Sequence, residues 1–486
     1  MNILMVTPEL APFVKVGGLA DVVGALPKEL KLAGHDVRIL CPLYGSIRTG
    51  EDWRAKNEPM VVHMGNGNKY ARIWETQLPH SAVPVYFIEH NEYFHRHEVY
   101  TGPWGSHGDN DERFAFLSRA GIDLCYFLQW FPDVIHAHDW PTALTPVILN
   151  AIQQSGPLSH TASVLTIHNM EHQGVFPPDL VNKAGLPEWA FRADGLESMG
   201  WVNMLKGGIY HATKVTTVSP SYAREIQTSG GGCGLHEVLQ FRSPDLVGIL
   251  NGIDTQVWSP EVDPLIPKNY SVKDMRGKAE CKAELQRAFN LHVDPNIPVF
   301  GVISRLAHQK GLDLLNHIIG RAVLDMKIQF AILGAGESEL QWAFGEMPKY
   351  LHGRVGSYIG FNNFFAHLIE AGADFFVMPS RFEPCGLNQM YSMAYGTLPI
   401  VRATGGLVDS VESYVEGADQ GTGFVFDAPT ADALYDSIGW ACATYYDRPQ
   451  EYRSMQQRAM KKDFSWKSSA QKYVEVYRWA MGAKGR

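Results

Sequence analysis

Two series of short, wholly apolar segments, each breaking off at glycine, serine or a charged residue, constrain this chain more than any other feature. The first series opens with NILMV at residues 2–6 and continues through VRILC (37–41), DVIHAHDW (133–140), SVLTIHN (163–169) and KVTTVSP (214–220). The second runs through LVGILNGID (246–254), VFGVISRL (299–306), FAILGAG (330–336), DFFVMPS (374–380) and TLPIVRATGG (397–406). Strands that read apolar throughout are buried on both faces of a parallel sheet. Between them lie stretches with apolar residues at helical spacing, such as Val22, Val23, Ala25, Leu26 and Leu30, closed by Gly34 where a helix ends. Strand, glycine-bearing loop, helix and strand make βαβ units. The spacing predicts an α/β chain of two doubly wound, Rossmann-like domains, 1–245 and 246–460, followed by a tail, 461–486, that is one amphipathic helix. A chain of 486 residues also exceeds what a single core supports.

Composition narrows the functional classes. With 42 Lys plus Arg against 51 Asp plus Glu, the net charge is −9, which offers no electrostatic footprint for nucleic acid or an anionic membrane. Any anion must be held by a local cationic cluster. The six cysteines are scattered without a CxxC pair, so neither a disulfide framework nor a zinc pattern is expected. MNILMVTPELAPF reads as a first strand rather than a basic segment leading into an apolar one, and no apolar run is long enough to span a bilayer. A cytoplasmic chain is the expectation.

In open α/β sheets ligands bind outside the carboxyl ends of the strands, and two such sheets facing one another would leave a cleft. The polar clusters of this chain sit at those strand ends. In Lys15-Val16-Gly17-Gly18, paired glycines and a helix start would admit a phosphate beside a lysine, though a tight turn with Asp21 as helix cap explains the residues as well. The loop is neither GxxxxGK(S/T) nor GxGxxG. Arg305 and Lys310, five apart across a turn entering a helix, suit a leaving diphosphate; the alternative is a solvated basic turn. Glu383 stands before a proline that turns it out of helical geometry, and Gly386 with Leu387 would open the next helix. No partner histidine is evident beside Cys385, which weakens a nucleophile reading. His136 and His138 share a strand face without further metal ligands nearby, leaving packing or a sugar-binding Asp139. His168 at a strand end is either a hydrogen-bond partner for a hydroxyl or a satisfied core residue. Asn251 opens a turn from which it could reach the cleft, and Phe361 either stacks a nucleobase or joins the core. The run Asp109-Asn110-Asp111-Glu112 reads as a solvated helix start, and Gly230–Gly232 as a mobile loop.

Taken together, KVGGLADVVGALP, HAHDW, TIHN, SRLAHQKGLDLL and SRFEPCGLNQMYSMAYGTLPIVRATGGLVDSV resemble the bacterial glycogen synthase and plant starch synthase family, from Lys15 to about Trp466. The resemblance implies a GT-B fold with the C-terminal helix returning to the N-terminal domain. It also implies retaining glucosyl transfer from ADP-glucose to an α-1,4-glucan, with neither metal nor pyridoxal phosphate. The first domain would carry the acceptor side and the second the donor. Lys15, Gly17 and Gly18 would meet the donor diphosphate, with Arg305 and Lys310 gripping it. Asp139 and His168 would contact the transferred glucose, Asn251 would lie near it, and Glu383 would hold a glucosyl hydroxyl. Phe361 would stack the adenine, and Cys385, Gly386 and Leu387 would line the donor side. Phe361 stands where a tyrosine is common, and Asn388 where a threonine is. UDP-glucose as donor, another glucosyl acceptor, and a catalytically silent glucan-binding relative are the alternatives.

Overall fold

The computed structural model describes residues 1–102, 105–152 and 155–485. The chain divides into two compact units, Met1–Asn251 with the segment from Trp466 onward, and Gly252–Ser465.

The first unit is built on the strand Asn2–Val6, flanked by Asp36–Pro42 and Val134–His138. Ala162–Ile167, Lys214–Thr217 and Leu246–Gly248 extend one side and Pro84–Glu89 the other, all in parallel. Beyond Pro84–Glu89 the sheet turns antiparallel through Gly67–Gln77, which also pairs with Met60–Met64 and Arg54–Ala55. The apolar strands lie in the core as their composition demands: Ile3, Met5, Val6, Ile39, Val164 and Leu165 are fully buried. The helix Gly18–Leu32 ends at Gly34, whose positive φ places it as predicted. The C-terminal helix Trp466–Ala483 packs on this unit, burying Trp466, Ala470, Tyr473, Val476, Tyr477 and Ala480.

Three local expectations are corrected. The strand expected to open the second half at Leu246 instead completes the first sheet, because its backbone pairs with Lys214–Thr217. The acidic run is not a solvated helix start: Asn110 and Asp111 are buried, Asp109 pairs with Arg96, and Asp111 receives Lys183 at 2.8 Å. Gly230–Gly232 is a hydrogen-bonded turn in which the Gly231 and Gly232 amides donate to the Thr228 carbonyl.

The second unit carries one parallel sheet, in the order Val355–Ile359, Gln329–Gly334, Val299–Ile303, Phe375–Met378, Leu398–Arg402 and Phe424–Phe426. Its helix Asn363–Gly372 buries Glu370 completely, and neither carboxyl oxygen has a hydrogen-bond partner among the described residues. Burial pushes this carboxyl well above its ordinary range, against the attraction of Lys278. A group raised in this way contributes stability below the unfolded pKa and loses it as pH rises. Glu370→Leu should therefore raise the unfolding free energy by about 1–3 kcal/mol, with an advantage that grows toward alkaline pH. Thermal unfolding of the two proteins across pH checks this; a less stable leucine variant at neutral pH would refute it.

Candidate functional site

In the first unit, the loop after Asn2–Val6 is held from beneath by Glu9. One carboxylate oxygen, Oε2, accepts the Val16 and Gly17 amides at 2.6 and 2.9 Å, and the other accepts the Tyr100 hydroxyl at 2.7 Å. The Gly17 amide is thus bound to Glu9 within its own loop. Gly18 begins the helix, and a side chain at either glycine would meet nothing within 4 Å. Packing does not require these glycines; they leave open space above a helix start. Lys15 pairs with Asp21 at 2.7 Å and remains half-exposed. Asp21 therefore partners the lysine, and the helix cap is Gly17.

The next two strand ends meet. Asp139 follows Val134–His138 at φ 55°, a conformation costly for a residue with a side chain. The carboxylate oxygen Oδ1 of Asp139 accepts the His168 amide at 2.6 Å and the Asn169 amide at 3.4 Å, which stitches HAHDW to TIHN. His138 Nδ1 lies 3.1 Å from His168 Nε2. His136 is bonded through Nδ1 to the Tyr477 hydroxyl of the C-terminal helix at 2.8 Å and through Nε2 to Thr166 Oγ1 at 2.6 Å. Asn251 is buried with its side-chain oxygen unpartnered among the described residues.

Burial sets the charge state of this cluster. It lowers His136 and His168 to about 3 and holds His138 well below its ordinary range, helped by the two neighbouring rings. It raises Asp139 to about 8, against the amides that stabilise its anion. The histidines, depressed in the fold, contribute stability above pH 6.5 that is lost as pH falls toward 3. Asp139 works in the opposite sense, contributing stability at low pH that is lost as pH rises through 8. Each shift corresponds to on the order of a few kcal/mol. Denaturant unfolding followed from pH 8 down to pH 4 should show marked loss of stability below about pH 6. A flat profile there would mean that the rings are hydrated.

In the second unit, the turn after Val299–Ile303 carries Arg305, exposed and donating to Gln309 Oε1 at 2.6 Å. Lys310 donates to Glu383 Oε2 at 2.7 Å, and Ser380 Oγ donates to the same oxygen at 3.0 Å. Glu383 is 5% exposed, so Lys310 is no solvated basic residue but the partner of a buried carboxylate. The two loops are bound together besides: Arg381 forks onto Asp313 at 2.6 and 2.8 Å, and its amide donates to the Gln309 carbonyl. Arg402 donates to the carbonyls of Ser380 and Arg381. Gly405, at φ 46°, lies so close beneath the Glu383 carbonyl that a Cβ there would come within 2.0 Å of it. The signal for that support was present in TGG, but its meaning depends on a tertiary approach.

The helix after this loop begins at Asn388, with Leu387 as its cap. Gly386, at φ 70°, stands outside it, because that conformation cannot start a right-handed helix. Cys385 is buried. Asn388 Nδ2 donates to the Ile303 carbonyl at 2.8 Å, which gives the unusual asparagine a structural task. Phe361, 86% exposed, is not core. Among the described residues no group of His, Cys, Asp or Glu gathers as a metal centre, and no helix is long and apolar enough to cross a membrane.

Residues 2–241 match the family model described as starch synthase catalytic domain, and residues 285–462 match glycosyl transferases group 1. Glycogen synthase 1 of Geobacter sulfurreducens is 50% identical over 481 residues, covering 98% of this chain and 96% of that protein. Glycogen synthase of Treponema denticola is 44% identical, covering 98% of each chain. Among solved structures, the catalytic domain of starch synthase IV from Arabidopsis thaliana, bound to ADP and acarbose, superposes with a TM-score of 0.92 at 34% identity, covering 99% of both chains.

Proposed function

Because this chain belongs to the starch synthase and bacterial glycogen synthase family of glycosyltransferases, we propose that it transfers glucose from ADP-glucose to the non-reducing end of an α-1,4-glucan, with retention. The observation that carries this reading furthest is the Lys310–Glu383 pair with Arg305 at the mouth of the same turn. Lys310 spends one of its three donors on Glu383, leaving two for a phosphate. Arg305 presents a planar fork beside it, suited to bidentate recognition of phosphate oxygens. The buried Glu383 is the counterpart, proposed to hold a glucosyl hydroxyl.

In the first unit Lys15 and Gly18 are proposed to meet the donor diphosphate, Asp139 and His168 the transferred glucose, and Asn251 a neighbouring position. As the bond to the diphosphate breaks, Arg305 and Lys310 stabilise the charge that develops there. The departing phosphate oxygen takes the proton of the glucan 4-hydroxyl, which enters on the same face of the sugar. No metal and no pyridoxal phosphate take part. The exposed Phe361 stacks the adenine, so Phe361→Ala should raise the donor KM about tenfold with little change in kcat. An unchanged KM would remove Phe361 from the donor site.

Nucleoside diphosphate release from ADP-glucose and from UDP-glucose, each with glycogen and with EDTA, tests the reading. Glycogen-dependent ADP release indifferent to EDTA supports it. Release from UDP-glucose alone moves the donor. No release from either, by folded protein that still binds glycogen, replaces synthase with a silent glucan-binding relative.

A further inference from the structure

His138 lies outside the residues assigned to substrate, yet it holds the nitrogen of His168 that faces inward. Its Nδ1 is 3.1 Å from His168 Nε2, and its own Nε2 is buried without a partner among the described residues. His138 is fully buried, and the His136 ring packs against it with centroids 4.1 Å apart. His136 is itself fixed at both nitrogens, by Tyr477 and Thr166. The plane of the His138 ring is therefore set from the strand and the C-terminal helix together.

Both rings are neutral, because burial disfavours their cations. One proton lies between them, and two arrangements exist. If His168 Nε2 donates, His138 must carry its proton on Nε2, leaving a buried N–H without an acceptor. If His138 Nδ1 donates, the unpartnered His138 nitrogen is a bare lone pair, and His168 carries its proton on Nδ1. Orphaned buried N–H groups are the rarer defect in folded proteins. We propose that His138 is a positioning residue that fixes His168 as the Nδ1–H tautomer, so that His168 presents a neutral hydrogen-bond donor to a sugar oxygen. The inference rests on the reading of His168 as a contact to the transferred glucose. His168 Nδ1 has no hydrogen-bond partner among the described residues, and the residue is 9% exposed, so this tautomer leaves its donor free for a ligand.

The tautomer can be read directly in full-length protein labelled with 13C and 15N histidine, with the His168 signals identified by their loss in His168→Gln. The proposal requires His168 protonated on Nδ1 and bare at Nε2 in the unsubstituted protein. Protonation on Nε2 would overturn it, whatever the activity. Kinetics supply a second arm. His138→Leu removes the donor, whereas His138→Asn places an amide nitrogen where Nδ1 stood. Leucine should lower kcat for ADP release roughly tenfold or more while donor KM stays within about threefold, and asparagine should recover most of that loss. Equal effects from the two substitutions would show a packing role alone and refute the proposal. An unsubstituted protein that releases no nucleoside diphosphate would refute the transferase reading instead, and the labelling result would still decide the tautomer.

Discussion

Replacing Lys310 by alanine should lower kcat for glucosyl transfer by roughly 30- to 1000-fold, the equivalent of about 2–4 kcal/mol of transition-state stabilisation. In the proposed reaction the charge on the diphosphate grows as the glycosidic bond breaks, so a fixed ammonium beside it would act more strongly in the transition state than on bound donor. KM for the glucan should barely move. The same substitution strands Glu383, a buried carboxylate left, among the described residues, with the Ser380 hydroxyl as its remaining side-chain donor. A fall in melting temperature should accompany the fall in kcat. Glu383→Gln on the alanine background should restore much of the stability and none of the rate, which separates the two effects. A loss of rate below about threefold in folded Lys310→Ala would mean that other groups manage the leaving charge.

The second large effect concerns the C-terminal helix. A chain ending at Ser465 should fail to give a folded first unit. The helix Trp466–Ala483 buries Trp466, Tyr473, Val476 and Tyr477, each worth about 1.5–3 kcal/mol of apolar burial. Together these rival the roughly 5–15 kcal/mol that holds a typical domain. Truncation also removes the Tyr477 hydroxyl from His136 and uncovers Lys214, whose ammonium lies 3.2 Å from the Trp479 ring centroid. Solubility and proteolysis of the truncated chain are the measurements. A first unit that remains protease-resistant without the helix would contradict this reading.

The parallel cores were legible because strands buried on both faces must be apolar throughout, a pattern that needs no knowledge of neighbours. The antiparallel extension through Met60–Met64 and Gly67–Gln77 is not legible in the same way, because its residues alternate between core and solvent and dilute the apolar signal. The loops with catalytic promise were legible as residue types but not as contacts. Glu9 reads as an ordinary acid, and its task emerges through Tyr100, 91 residues away. Lys310 and Glu383 are separated by 73 residues, and nothing local in either motif pairs them. Local sequence does not decide between core and surface for Phe361, since an aromatic after a strand serves either; its exposure is a tertiary fact.

The split make-up of the first unit bears on how the protein is made. The ribosome delivers Met1–Asn251 long before the segment from Trp466 that completes it, whereas Gly252–Ser465 emerges as one uninterrupted stretch. At about 5–20 residues per second, the nascent chain carries a sheet without its last covering helix for roughly ten to forty seconds, with the surface destined for Tyr473 and Tyr477 still bare. The later-made unit can close on itself while the earlier one waits. That interval is when chaperones have most reason to attend the chain, and a stall late in translation would release a protein whose second half is sound and whose first is not.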